Sequence, residues 1–89
     1  MAWKIELLNE AERDIDKLDF QVGRRILKFL YQRVAVLDDP RSIGVALTGV
    51  EFGHYWKYRV GDYRIVCDIQ DKKVIVLVLR VGHRREVYR

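Results

Sequence analysis

The strongest constraint on this chain is the punctuated alternation of its second half. Residues 55–60, 63–69 and 73–81 each read as a strand. Gly61-Asp62 and Asp71-Lys72 separate them, where two-residue hairpin turns belong. Successive strand residues point to opposite faces, so such a run folds as an antiparallel meander with cover over its apolar face. The third segment is apolar on both faces and is expected to be a central strand covered on both sides. That leaves the other face only partly open.

The first half supplies the cover. Trp3, Ile5 and Leu7 alternate with Lys4 and Glu6, which predicts one more half-buried strand. Asn9 is expected to cap a short helix, with Glu12 three residues on as in a capping box. Ala11, Ile15 and Leu18 form the apolar face of that helix. Asp19 is expected to cap a second helix running to about Leu37, with Val22, Ile26, Phe29, Leu30 and Val34 along one side. Pro40 ends it by biasing Asp39 away from helical geometry. Residues 41–53 have no clear period and read as a loop with at most a short strand or turn. The order predicts an α+β fold: an N-terminal strand, a helical hairpin, then a three-stranded antiparallel meander. At 89 residues the chain is a single domain, residues 1–89.

One cysteine, Cys67, excludes an internal disulfide framework, and with two histidines it excludes a thiolate-rich zinc site. No metal and no other cofactor is expected. The longest purely apolar run, residues 74–79, is far shorter than a membrane span, and residues 1–20 hold no signal-peptide core. A cytoplasmic protein without a membrane partner is expected.

Charge is segregated along the chain. Residues 1–19 hold six acids against three bases, whereas residues 20–33 hold Arg24, Arg25, Lys28 and Arg33 and no acid. From His54 onward nine bases face four acids. Most of the cations are arginines, whose planar fork matches phosphate, so a polyanionic partner is expected. On the hairpin, Trp56, Tyr58, Ile65, Cys67 and Ile69 should face the helices, and Tyr55, Lys57, Arg59, Arg64 and Val66 the other side. A Gly61-Asp62 turn sets Arg59 directly opposite Arg64. Like charges opposed across a strand pair are destabilising unless an anion joins them.

The terminal run from Gly82 to Arg89 adds His83, Arg84 and Tyr88, which are expected to fold back over this basic face. With Lys57, Arg59 and Arg64 they meet the needs of phosphodiester cleavage without metal. A base takes the ribose 2′-hydroxyl proton, cations stabilise the phosphorane, and an acid protonates the leaving 5′-oxygen. There is no glycine-rich phosphate loop and no serine elbow. Cys67 reads as a core thiol.

These residues, with Leu-Asp-Asp-Pro-Arg after the second helix and Tyr-Trp-Lys-Tyr-Arg-Val-Gly-Asp-Tyr-Arg-Ile-Val at 55–66, resemble the RelE/ParE superfamily of bacterial type II toxins, and its RelE-like branch more closely. The resemblance implies a metal-independent mRNA endoribonuclease that acts on messages at the ribosome. It also implies neutralisation by a cognate antitoxin, and contact with operator DNA only through the antitoxin complex. Lys57, Arg64, Arg84 and Tyr88 match the family's catalytic positions, and Arg59 a phosphate-binding one. Tyr55 departs from a second lysine and is expected to contact RNA. His83 falls where several relatives carry a catalytic histidine. Tyr88 is the favoured base and His83 the favoured acid, with the reverse left open. The chain stops at Arg89 without the C-terminal helix that some relatives carry. Arg24, Arg25 and Lys28 are expected to hold ribosomal RNA, away from the chemistry. The alternative within the same fold is a ParE-like DNA gyrase poison without nuclease activity. A plain nucleic-acid-binding module is the third reading.

Overall fold

The computed structural model describes residues 2–47 and 54–83. Strand β1 (Lys4–Leu7) leads into helices α1 (Asn9–Asp16) and α2 (Phe20–Phe29), and strands β2 (Val45–Ala46), β3 (Trp56–Val60), β4 (Tyr63–Gln70) and β5 (Ile75–His83) follow. They form a five-stranded sheet in the order β1-β5-β4-β3-β2. Neighbours are antiparallel except β1, which runs parallel to β5 and makes β5 a central strand. This is the expected α+β class. The second face of β5 is half-buried at Ile75, Leu77 and Leu79 rather than fully covered.

Residues from both halves build the core. Ile26, Leu30 and Val34 from the second helical stretch pack with Tyr58, Ile65, Cys67, Val76 and Val78 from the sheet, all essentially without exposure. Burial pushes the Cys67 thiol far above its ordinary range, which keeps it a protonated core group. Among the described residues no helix is long and apolar enough to cross a membrane.

Asp19 caps α2 as expected, its carboxylate accepting from the Gln21 N–H at 3.1 Å. Asn9 does not cap α1. Leu8 takes that position, because its N–H still donates to Val78 as an extension of β1 while its carbonyl already accepts from Glu12. The strand runs straight into the helix and leaves no residue for a side-chain cap. The second helix also changes character before its end. Its last turn, Leu30–Val34, is a π-helix, in which the Ala35 N–H reaches back to the Leu30 carbonyl.

The β3–β4 turn is the expected two-residue one, with Gly61 at φ 60°. The β4–β5 turn is longer than Asp71-Lys72. Gln70 pairs with Ile75, so four residues make the loop, and Val74 closes it in the left-handed region at φ 56°. Arg41 holds this loop through a bidentate pair with Asp71 at 2.9 Å.

Candidate active site

Both walls of the basic face are fixed from the sequence upward. The segment before β2 is pinned to β3 by the Tyr58 hydroxyl, which donates to the buried Pro40 carbonyl at 2.6 Å, and by the Trp56 indole, which donates to the Ile43 carbonyl at 2.8 Å. Gly44 closes the approach. At φ 81° it lies so near β3 that an added Cβ would stand 2.5 Å from the Lys57 carbonyl. This contact lets Val45 pair with Lys57. Gly44 and Val45 thus form the outer wall of a groove of about 330 Å³ whose other lining residues are Lys57, Arg59 and Arg64.

The register puts Arg59 directly opposite Arg64, and Arg64 opposite Gly82 on β5. Gly82 carries no side chain, so β5 places none beside Arg64 at this position. Lys57 and Arg64 are half-buried and Arg59 is exposed. The Arg59 Nε donates to the Gly61 carbonyl at 3.1 Å, which bends its guanidinium toward the hairpin tip. Among the described residues no carboxylate lines the groove. Such a concentration of cations is suited to a phosphate and to the extra charge of a phosphorane.

His83 stands elsewhere. It pairs with Tyr63, and the two rings meet edge to face with centroids 5.8 Å apart. Tyr63 packs against the core cluster on the helix side of the sheet. The His83 ring therefore shares the face of Tyr63, Ile65 and Val81, opposite to Lys57 and Arg64. A bulge causes this. Cys67 pairs with Val78 while Val66 pairs with Arg80, so Leu79 is an extra residue and the parity of β5 shifts after it. Arg84 and Tyr88 lie outside the described residues. Tyr55, before β3, packs its ring against His54 with centroids 4.4 Å apart.

The end of β5 is held by Asp14 of α1. Its carboxylate accepts from the Val81 N–H at 2.9 Å and from Arg80 at 2.8 Å, taking over the strand edge that β1 leaves beyond Leu7. Burial alone would raise the Asp14 pKa. The bonds from Arg80 and Val81 outweigh it and hold the carboxyl below the usual range.

The basic residues of the second helix divide. Arg25 and Lys28, joined by Arg33, line a groove of about 400 Å³ whose far wall is Arg59, Val60 and Gly61. Arg24 lines a different, more apolar groove with Ile15, Leu18, Phe20 and Leu27. Patterning on the helix alone groups Arg24 with Arg25; only the fold shows that they face different surroundings. Gly44, Val45 and Arg33 were not singled out by sequence. Gly44 in a turn-rich stretch and Arg33 in the same acid-free stretch as Arg25 and Lys28 were the available signals.

The family model described as the ParE toxin of the type II toxin–antitoxin system parDE matches residues 5–88. Toxin RelG of Mycobacterium tuberculosis is 28% identical over 89 residues, covering 100% of this chain and 99% of that protein. The mRNA interferase toxin RelE of Escherichia coli is 34% identical over 90 residues, covering 99% and 92% respectively. Among solved structures, the toxin–antitoxin complex RelBE2 of M. tuberculosis matches with a TM-score of 0.85 and 26% identity, over 97% of this chain and 95% of that one. With its sheet, its helical hairpin and nearly its whole length shared with these proteins, the chain belongs to the RelE/ParE superfamily of type II toxin–antitoxin toxins.

Proposed function

We propose that this toxin is a metal-independent mRNA endoribonuclease that blocks translation, with the groove of Lys57, Arg59 and Arg64 as its reaction site. The observation that carries the reading is the convergence of three cations, Lys57, Arg59 and Arg64, in one groove. The name of the E. coli relative, an mRNA interferase toxin, supports it.

The chemistry needs no covalent enzyme intermediate. A base removes the 2′-hydroxyl proton, O2′ bonds to the adjacent phosphorus, and the bond to the 5′-oxygen breaks. The products are a 2′,3′-cyclic phosphate and a 5′-hydroxyl. Arg64 and Arg59 neutralise the phosphorane that forms on the way. Tyr88 is our assignment for the base, since it matches the position of the family's C-terminal tyrosine. Arg84 is assigned to the phosphate. His83 is the weaker choice for the acid, because its ring lies across the sheet against Tyr63. Lys57, the ammonium group of the groove, carries donor protons and becomes our assignment for the proton donor.

The partners in this reading are the ribosome, its mRNA and a cognate antitoxin, with operator DNA met only through the antitoxin complex. The solved relative is itself a toxin–antitoxin complex, which supports the antitoxin. The matching family model bears the ParE name, so a gyrase poison is the competing reading. A cell-free translation extract, run beside a gyrase supercoiling assay, separates the two. Cleaved message with cyclic-phosphate ends, formed in the presence of chelator, is the expected result. Intact message together with inhibited supercoiling would overturn the nuclease.

A further inference from the structure

A second strongly basic groove lies between the second helix and the hairpin tip. Among the described residues its lining contains Arg25, Lys28, Arg33 and Arg59 and no carboxylate. Residues 20–37 hold no acid at all, so nothing on that stretch of helix offsets these charges. The cations are also oriented. The Arg25 Nη1 stands 3.7 Å from where a Cβ on Gly61 would lie, against the hairpin turn. The Arg33 guanidinium carbon lies 5.9 Å from the centre of the Phe29 ring. Arg59 donates to the Gly61 carbonyl, so the Arg25 and Arg59 guanidinium groups meet around one glycine.

Arg59 lines both this groove and the groove of Lys57 and Arg64. The two concavities lie on opposite faces of the sheet and meet at the end of β3. Among the described residues β2 gives no cover there, since it pairs with Trp56 and Lys57. A strand whose phosphate rests between Lys57 and Arg64 meets Arg59 next, then Arg25, Lys28 and Arg33 around the bare edge.

We propose that the helix–hairpin groove binds further phosphates of the same RNA strand that is cleaved, with Arg59 as the shared contact, so that the substrate wraps around the open end of β3. The inference rests on the endoribonuclease reading and adds a path for the strand. Three of the four cations are arginines, which favours phosphate over a carboxylate-bearing protein segment. Arg24, which lines the separate apolar groove, is not on the path.

The test uses the full chain and 2′-O-methyl RNA oligonucleotides, which cannot be cleaved, of about three to ten nucleotides. Parent affinity should climb with length past the reaction site. Arg25→Ala/Lys28→Ala changes two exposed side chains. It should lose about tenfold on the longest oligonucleotide, flatten the length dependence and lower the salt slope by about 1.4. Arg24→Ala should keep the parent's length dependence. The path would be overturned by a length dependence unchanged in the double variant, by a loss equally large with Arg24→Ala, or by competition by polyglutamate as strong as by RNA of equal charge. A double variant that fails only to co-sediment with ribosomes, while binding oligonucleotides like the parent, would assign the groove to ribosomal RNA and also overturn it. Unmodified RNA left uncut by a parent that shows the expected length dependence would remove the nuclease reading and not the groove.

Discussion

The two faces of the β3–β4 hairpin are built from neighbouring residues and meet opposite requirements. Toward the helices, Tyr58, Ile65 and Cys67 are packed to near-zero exposure. On the other side, one residue away in each case, Lys57, Arg59 and Arg64 stand together in an open groove. Burial stabilises the first set, whereas the second gathers like charges that a phosphate would draw together. A period of two is what lets one hairpin hold both, because each residue of one face is flanked by residues of the other. Stability and chemistry should therefore be separable by single substitutions at adjacent positions.

Ile65 and Arg64 provide the sharpest form of that test. Ile65→Ala empties a site with no exposure in the middle of the core and should cost about 4 kcal/mol of stability, read by denaturant titration. Activity per folded molecule should stay near the parent's. Arg64→Ala should do the reverse. Its melting temperature stays close to the parent's, while single-turnover cleavage falls by about a hundredfold, equivalent to about 3 kcal/mol of transition-state stabilisation. A large melting shift in Arg64→Ala with little loss of rate would show that the open face is structural, and the division between faces would fail.

Much of this division was legible before any coordinates. Alternation fixes which hairpin residues share a face, and the Gly61-Asp62 turn fixes the Arg59–Arg64 opposition, because a two-residue turn leaves only one register. What escaped depends on contacts distant in sequence or on a single inserted residue. The parallel pairing of β1 with β5 joins the two ends of the chain. The outer wall of the groove exists because Gly44 fits against β3, a close approach that nothing local announces. The bulge at Leu79 is the clearest case. Strict alternation from Val76 and Val78 would put Arg80 and Gly82 toward the helices and leave His83 beside Arg64. The extra residue reverses that assignment, and His83 goes with Tyr63.

A smaller effect belongs to the join between the faces, where Asp14 holds the edge of β5. Its pKa is depressed in the folded chain by Arg80 and Val81 despite burial, so its stabilising contribution is complete above the ordinary aspartate range. The contribution is lost as pH falls through the lower folded value. Asp14→Asn should cost about 1 kcal/mol near neutrality, kept small by the exposure of Arg80, whose side chain is 61% accessible. The acid limb of a plot of Tm against pH should flatten in the variant, while the neutral limb drops as a whole. An unchanged acid limb would show that Asp14 does not carry this dependence.

The smallest effect is expected at His83, the residue on which the alternation of the strand and the chemistry of the side chain disagree. An imidazole titrates near neutrality and suits proton transfer, and a positioned acid contributes about 10²–10⁴ to a rate. Its ring, however, rests against Tyr63 on the helix side, with the thickness of the sheet between it and Arg64. Glutamine keeps hydrogen-bonding capacity and roughly the size of the ring but cannot protonate near pH 7. His83→Gln should therefore change single-turnover cleavage by less than about threefold, because no proton passes through this position. The pH–rate profile should keep the limbs of the parent. A loss of two orders of magnitude, together with removal of a limb near neutral pH, would mean that the end of β5 turns over when RNA binds and carries His83 into the groove. In that event the bulge at Leu79 would be the hinge. Deleting Leu79, which leaves His83 opposite Tyr63 in an unbroken ladder, should then remove the motion and with it the cleavage that depends on His83.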